Sequence, residues 1–129
     1  MHISIFQAIL LGLLYYLTNN GTPWVTGLGS VSIRQPIVCG AITGLILGDV
    51  TQGVIIGATI NVSYMGWISA GGANASDLYW AGLLGTFVAI QGGMSIDTSV
   101  AFAVPIGLLG NYVHVAYMTI ASLWPVKMD

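Results

Sequence analysis

A few polar side chains interrupt the long apolar runs of this sequence, and they are its candidate ligand-binding groups. Asp49 separates two apolar runs, Asn61 lies within the second of them, and Gln7 lies in the first apolar run of the chain. Carboxylates and amides offer directional hydrogen bonds without requiring a counter-charge, which suits neutral polyols. We therefore predict that Asp49, Asn61 and Gln7 face a polyol. The alternatives are a helix cap for Asp49 and a helix–helix hydrogen bond for Asn61.

The remaining reactive residues do not form a catalytic or metal-binding set. His114 is isolated in an apolar run, where a packed, hydrogen-bonded histidine is expected, and Cys39 is the single cysteine. Neither a nucleophile–base arrangement nor a phosphate-binding glycine loop is present, so we predict no catalytic residues, no metal site, no cofactor and no enzyme activity. Asp77 and Asp97 follow Gly- and Ser-rich segments, and we predict that both cap the next helix.

The composition indicates an integral membrane protein. Of the 129 residues, 56% are hydrophobic and only 5% are charged, whereas a soluble domain carries about 25% charged residues. The mean hydropathy is +0.89. A net charge of −2 with two basic residues excludes the clustered Lys and Arg of a nucleic-acid-binding surface. The length fits one transmembrane domain, residues 1–129.

Five apolar stretches are predicted to be helices, because lipid requires each backbone group to find a partner within its own segment. This predicts an all-α, polytopic membrane fold. The stretches are Ile3–Thr18, Pro36–Gly48, Gly53–Ala70, Leu78–Gly92 and Thr98–Trp124.

The second stretch is too short to cross a bilayer. At about 1.5 Å per residue, Pro36–Gly48 would cover about 20 Å, whereas the hydrocarbon core is about 30 Å thick. The polar residues after it suggest that Pro36–Ala70 forms two half-helices meeting at a polar tip, a re-entrant hairpin of the kind that lines transporter cavities. Two ordinary spans joined by a short loop remain the alternative.

Glycines recur at spacing four on either side of this tip. Small residues at that spacing give a helix a flat face on which another helix can pack closely. We predict a helix-packing role for five of them: Gly40, Gly44, Gly48, Gly53 and Gly57.

The segments Gln35–Asp49 and Thr51–Thr59, with the opening Ile3–Ala8 and the later Gly66–Gly72, resemble a known family. They are similar to enzyme IIC of the mannose/fructose/sorbose phosphotransferase family. The resemblance implies a multi-pass subunit of the bacterial inner membrane that carries a hexose or amino sugar inward. It also implies an enzyme IID partner, phosphorylation of the sugar by cytoplasmic IIA and IIB phosphocarriers, and trimeric assembly of IIC–IID units.

Three departures from the family accompany this resemblance. Many relatives have a Glu where this chain has Asn61, and the usual Arg-Pro is here Gln35-Pro36, with Arg34 one residue earlier. Relatives also continue for about as long again, so we expect residues 1–129 to be a truncated or split N-terminal half. A small structural or pore-forming membrane protein without sugar specificity is the alternative function.

Overall fold

In a computed structural model, residues 3–19, 32–65 and 76–126 are described, and every regular element among them is an α-helix. This confirms the all-helical part of the predicted fold. The five helices are α1 (Ile5–Asn19), α2 (Pro36–Leu47), α3 (Val50–Tyr64), α4 (Leu78–Gly92) and α5 (Ile96–Val126). The predicted continuation from residue 66 to 70 lies outside the described residues.

Local signals determine the turn between α2 and α3. Pro36 occupies the first turn of α2, where its missing N–H would have had no helical partner. Gly48 ends the helix with a φ of 90°, in the left-handed region that favours glycine. The Asp49 side chain then accepts a hydrogen bond from the Gln52 backbone N–H at 3.0 Å and caps α3. Two residues therefore reverse the chain into a helical hairpin.

The start of α4 agrees with the predicted cap, but the start of α5 does not. Asp77 Oδ1 accepts a hydrogen bond from the Tyr79 backbone N–H at 3.0 Å, which confirms its capping role. Ser95, rather than Asp97, accepts the Thr98 backbone N–H, at 3.4 Å. Asp97 lies in the first turn of α5, where a carboxylate favours the positive end of the helix dipole.

Four glycines bring the backbones of α2 and α3 into direct contact. A Cβ atom added to Gly40 would lie 2.7 Å from the Gly53 carbonyl oxygen and 2.8 Å from the Gly57 Cα, and one added to Gly44 would lie 2.8 Å from the Gly53 Cα. Any side chain here would overlap the opposite helix. Gly48 has a different role from the one predicted, because it lies in the turn and an added Cβ there would meet no atom within 4 Å.

The helices alternate in direction. Gln7 at the start of α1 bonds the end of α2, and Gly57 of α3 lies against Pro36 at the start of α2. Gly110 of α5 packs on Trp80 at the start of α4. The bundle thus has two ends. The Asp49 end carries the α2–α3 and α4–α5 turns, and the Asp77 end carries the starts of α2 and α4.

The core is built from the faces that these helices share. One buried cluster joins α3, α4 and α5, and its members are Ile56, Ile60, Tyr64, Ala81, Ala89 and Ala103. A second cluster contains Cys39, Tyr79 and Leu83, with Tyr15 of α1 packed against it. Cys39 is fully buried, which confirms its predicted packing role.

Helix α5 is much longer than the others and extends beyond the Asp77 end. It has 31 residues, whereas α2 has 12 and α3 and α4 have 15 each. Its second half is apolar and exposed, with Tyr112 at 72% and Ile120 at 65% of full exposure. Among the described residues, Ile96–Leu123 is the one helical stretch long and apolar enough to cross a bilayer.

Candidate functional site

A polar cavity of about 220 Å³ lies at the Asp77 end, where α2 and α4 begin and α5 passes its midpoint. Its wall combines a guanidinium, a carboxylate, an imidazole, a hydroxyl and two amides. These groups belong to Arg34, Gln35, Ser76, Asp77, Asn111 and His114.

Hydrogen bonds fix the cavity wall to three helices. The Asp77 backbone N–H donates to the Gly107 carbonyl oxygen of α5 at 2.9 Å, while its side chain caps α4. Ser76 shares a buried hydrogen bond of 3.0 Å with the Tyr64 hydroxyl at the end of α3. Ser76 and Asp77 are therefore held in place by α3 and α5.

The wall can both donate and accept hydrogen bonds. Asn111 and Gln35 carry amides that do both, Asp77 has acceptor oxygens, and Arg34 supplies only donors. The first turns of α2 and α4 also present the positive ends of their helix dipoles at this end of the bundle. The arrangement is suited to binding a small polar molecule with several hydroxyl groups.

Gln7 lies at the opposite end of the bundle, and its amide is used within the protein. Its Nε2 donates to the Ile46 carbonyl oxygen at 3.0 Å, and its Oε1 accepts the Ser4 backbone N–H at 3.1 Å. This side chain joins the start of α1 to the end of α2. Its predicted role in sugar binding stays a prediction.

Asp49 is exposed in the turn of the α2–α3 hairpin. Its carboxylate makes the capping bond to Gln52, so the helix-cap alternative describes its position in this structure. A second carboxylate oxygen leaves room for a further bond, and sugar binding by Asp49 likewise stays a prediction.

Asn61 is half-buried on α3, one turn before Tyr64. Twelve helical positions separate it from Asp49, which is about 18 Å along the axis at about 1.5 Å per residue. One sugar ring cannot reach both side chains in this arrangement. Asn61 lies towards the cavity end of α3, and Asp49 and Gln7 lie towards the other end.

Sequence reasoning did not identify the cavity residues as a set. The apolar run around His114 predicts a packed histidine, and Arg34 enters the sequence analysis beside the Gln35-Pro36 departure from the family motif. A usable signal was the spacing of Asn111 and His114, because residues three apart share one face of a helix. Ser76 and Arg34 join them only through the tertiary fold.

Within residues 3–19, 32–65 and 76–126, no group of three His, Cys, Asp or Glu side chains could hold a metal ion. The cavity contributes one carboxylate and one imidazole from that set.

A protein-family comparison matches residues 5–129 to the family described as the PTS system sorbose-specific IIC component. The chain is 31% identical over 109 residues to the PTS system mannose-specific EIIC component of Escherichia coli K12, covering 81% of this chain and 41% of the relative. It is 33% identical over 109 residues to the sorbose-specific EIIC component of Lacticaseibacillus casei, covering 81% of this chain and 39% of that relative.

A shorter relative and a solved structure extend the comparison. The putative N-acetylgalactosamine permease IIC component 2 of Escherichia coli K12 is 33% identical over 105 residues, which cover 81% of this chain and 76% of that protein. A chain of the cryo-electron-microscopy structure of the mannose transporter ManYZ with microcin E492 superposes with a TM-score of 0.81 at 27% identity. The match covers 100% of this chain and 50% of that one. The chain thus spans about two fifths to one half of the longer relatives.

Proposed function

Because the chain belongs to the family of the sorbose-specific IIC component of the phosphotransferase system, we propose that it is a sugar-translocating membrane subunit. Relatives named for mannose, sorbose and N-acetylgalactosamine support a hexose or amino sugar as cargo. The observation that carries the proposal is the polar cavity at the start of α2 and α4 in an otherwise apolar helical body.

The α2–α3 pair is proposed to be a re-entrant hairpin in the bilayer. Its helices have 12 and 15 residues, which is about 18 to 23 Å of helix. Neither reaches across about 30 Å of hydrocarbon, and a two-residue turn joins them. Helices interrupted at membrane depth are tolerated where they are buried in protein or line a cavity.

The partners are inferred from the family. We propose that an enzyme IID subunit accompanies this chain, since the matched structure is of the ManYZ transporter. We further propose a multi-pass position in the bacterial inner membrane, trimeric IIC–IID assembly, and phosphorylation of the sugar by IIA and IIB phosphocarriers. On this proposal the chain itself transports sugar and transfers no phosphoryl group.

Asp49, Asn61 and Gln7 are proposed to meet the sugar at different points along its path. Asn61 is the nearest of the three to the cavity end, while Asp49 and Gln7 lie at the other end of the short helices. Successive contacts along a path fit their separation better than one shared site does.

Sugar uptake tests the function. The gene that encodes this chain would be expressed with IID, IIA and IIB in cells lacking their own mannose-family permease, and uptake of labelled mannose, sorbose and N-acetylgalactosamine would be measured. We expect uptake of at least one sugar that stops when the gene is deleted. Uptake that persists after deletion, or leakage of a dye with no dependence on sugar, would instead support a pore-forming or structural protein.

The Asn61 amide can be tested separately from folding. We expect Asn61→Leu to weaken sugar binding much more than it lowers the amount of protein in the membrane. A control is Gln91→Leu, which removes a half-buried amide near the end of α4. Equal losses of binding and protein amount in Asn61→Leu would show that this amide only holds helices together.

A further inference from the structure

We propose that one acyl chain of a phospholipid with an amine-bearing head group occupies an apolar groove between α1 and α4. The groove has a volume of about 420 Å³, and its described wall carries no charged side chain. It shares no lining residue with the polar cavity at the Asp77 end. A lipid bound there is a ligand separate from the sugar, so this inference goes beyond the proposed transport function.

The walls of the groove are two apolar helix faces that lie opposite each other without closing. On α1 the residues that line it are Ala8, Leu11, Gly12 and Tyr15. On α4 they are Trp80, Leu83, Leu84 and Phe87. Both sets have the spacing of a single helix face, which ordinarily packs directly against its neighbour. Here a Cβ atom added to Gly12 would meet no described atom within 4 Å, so the space between the two faces accommodates an apolar ligand.

Contacts at both ends of α1 fix the position of the groove. At the Asp77 end, the Tyr15 ring lies edge-on to the Trp80 ring, with the ring centroids 5.6 Å apart. At the Asp49 end, the Gln7 amide bonds the end of α2. Ile3 lines the groove at this second end and is 38% exposed, so the groove reaches the protein surface there. The groove thus has one end closed by aromatic rings and one open end.

The length of the groove matches one leaflet of a bilayer. Ten helical positions separate Ile5, where α1 begins, from Tyr15, which is about 15 Å at about 1.5 Å per residue. One half of the about 30 Å hydrocarbon core has the same thickness. The long helix α5 also begins at the Asp49 end, which places the open end of the groove at the membrane surface. An acyl chain that enters from this surface would extend to the Tyr15 and Trp80 rings.

The width of the groove favours an acyl chain over a helix of another protein. A helix with its side chains is about 10–12 Å across. A helix inserted between α1 and α4 would have to move them apart and separate the Tyr15 and Trp80 rings, which are in contact. An acyl chain is much thinner and can lie between the two faces while that contact is kept.

The charges at the open end favour a head group that carries an amine. Asp49 and Asp97 are both exposed at this end of the bundle. Among residues 3–19, 32–65 and 76–126, the one Lys or Arg side chain is Arg34, which lies at the opposite end. Carboxylates attract an ammonium group and repel a head group with a net negative charge. Phosphatidylethanolamine therefore fits this end better than phosphatidylglycerol does.

Lipid titration of the purified protein tests the site. The protein and its partner subunit would be washed free of lipid in mild detergent and titrated with dioleoyl phosphatidylethanolamine or dioleoyl phosphatidylglycerol, and native mass spectrometry would count the lipids bound. Gly12→Leu and Leu84→Trp fill the groove from opposite walls. Ala116→Leu, at an exposed position of α5 outside the groove, is the matched control. A double variant, Asp49→Asn with Asp97→Asn, removes the two charges and keeps a side chain able to cap α3.

We expect one phosphatidylethanolamine to bind the unaltered protein more tightly than phosphatidylglycerol does. Both groove-filling variants should bind it at least about tenfold more weakly, a loss of about 1.4 kcal/mol. Ala116→Leu should bind like the unaltered protein, and the double variant should bind the two lipids about equally. In the unaltered protein, added phosphatidylethanolamine should also slow hydrogen exchange of the α1 amides.

Three results would overturn the proposal. Unchanged lipid binding in both groove-filling variants would show that the acyl chain lies elsewhere, as would α1 hydrogen exchange that does not respond to lipid. Loss of the partner subunit from these variants, with lipid binding unchanged, would show that a protein segment occupies the groove. Equal or tighter binding of phosphatidylglycerol by the unaltered protein would overturn the choice of head group.

Discussion

At the scale of single residues, Asp49 caps α3 and is also predicted to bind sugar. Its carboxylate bonds the Gln52 N–H, while the side chain remains exposed. The hydrogen bond from the Gln52 N–H at the start of α3 offsets part of the cost of a carboxylate between two apolar runs.

Replacing Asp49 separates the cap from the charge. Asp49→Ala should lower the free energy of unfolding by about 0.5–2 kcal/mol, because the first turn of α3 loses its capping acceptor. Asp49→Asn should leave stability nearly unchanged, since asparagine caps about as well. Unfolding by a strong detergent titrated into mild-detergent micelles measures both. If Asp49→Asn lowered the free energy of unfolding as much as Asp49→Ala does, the charge of the carboxylate, and not its capping bond, would stabilise the turn.

Gln7 is the polar link between α1 and the rest of the bundle. Gln7→Leu removes the bonds to the Ile46 carbonyl and the Ser4 N–H, so we expect about 0.5–1.5 kcal/mol less stability for each bond lost. Hydrogen exchange of the α1 amides should become faster. Gln52→Leu serves as the control, because that side chain is exposed and only its backbone N–H bonds Asp49. Equal acceleration in the two variants would argue against the link.

At the scale of elements, the α2–α3 hairpin depends on backbone contact. Gly40→Ala should destabilise the protein by about 1–3 kcal/mol, because the new methyl group overlaps the Gly53 carbonyl and the Gly57 Cα, neither of which can move aside cheaply. Gly12→Ala in α1 is the control, since an added Cβ there meets no atom within 4 Å. The same detergent-unfolding titration compares them. Equal stability of both variants would show that the helices can separate without cost.

The sequence predicted the elements well because their signals are local. Pro36, Asp49 and Asp77 each mark a helix start through their own chemistry, and the spacing of the glycines indicated a packed pair. The predicted helix-packing role of Gly48 was wrong. This glycine has a φ of 90° in the turn after α2, and an added Cβ there would meet no atom of another helix within 4 Å.

The cavity could not be predicted in the same way. Arg34, Asp77 and Asn111 are far apart in the sequence, and they meet only because α5 runs antiparallel to α4 and continues past its start. The distance between Asp49 and Asn61, by contrast, follows from the rise of one helix. It could have been calculated from the sequence once α3 was recognised.

At the scale of the whole molecule, α5 exposes an apolar surface that needs lipid or a partner subunit around it. Leu109 is 62% exposed close to the middle of the helix, and Ile96 is 40% exposed at its start. A charge near the membrane centre costs far more than one at a helix end.

This gives a position-dependent test of membrane insertion. Leu109→Asp should raise the free energy of inserting α5 by about 2.5–3.5 kcal/mol, and Ile96→Asp should raise it much less. The fraction of protein that resists alkaline extraction from membranes measures the difference. Equal retention of the two variants would contradict a transmembrane α5.

The unequal helix lengths also affect the surrounding lipid. Helices of 12 and 15 residues stand beside one of 31, so a bilayer that matches α5 is thicker than the rest of the bundle. Such a mismatch is relieved when the bilayer thins around the shorter helices, or when water and head groups move inward towards the ends of those helices. Either response makes the hydrocarbon layer thinner beside the Asp77 end. A hydrated solute would then be without its water over a shorter distance than in an unperturbed bilayer.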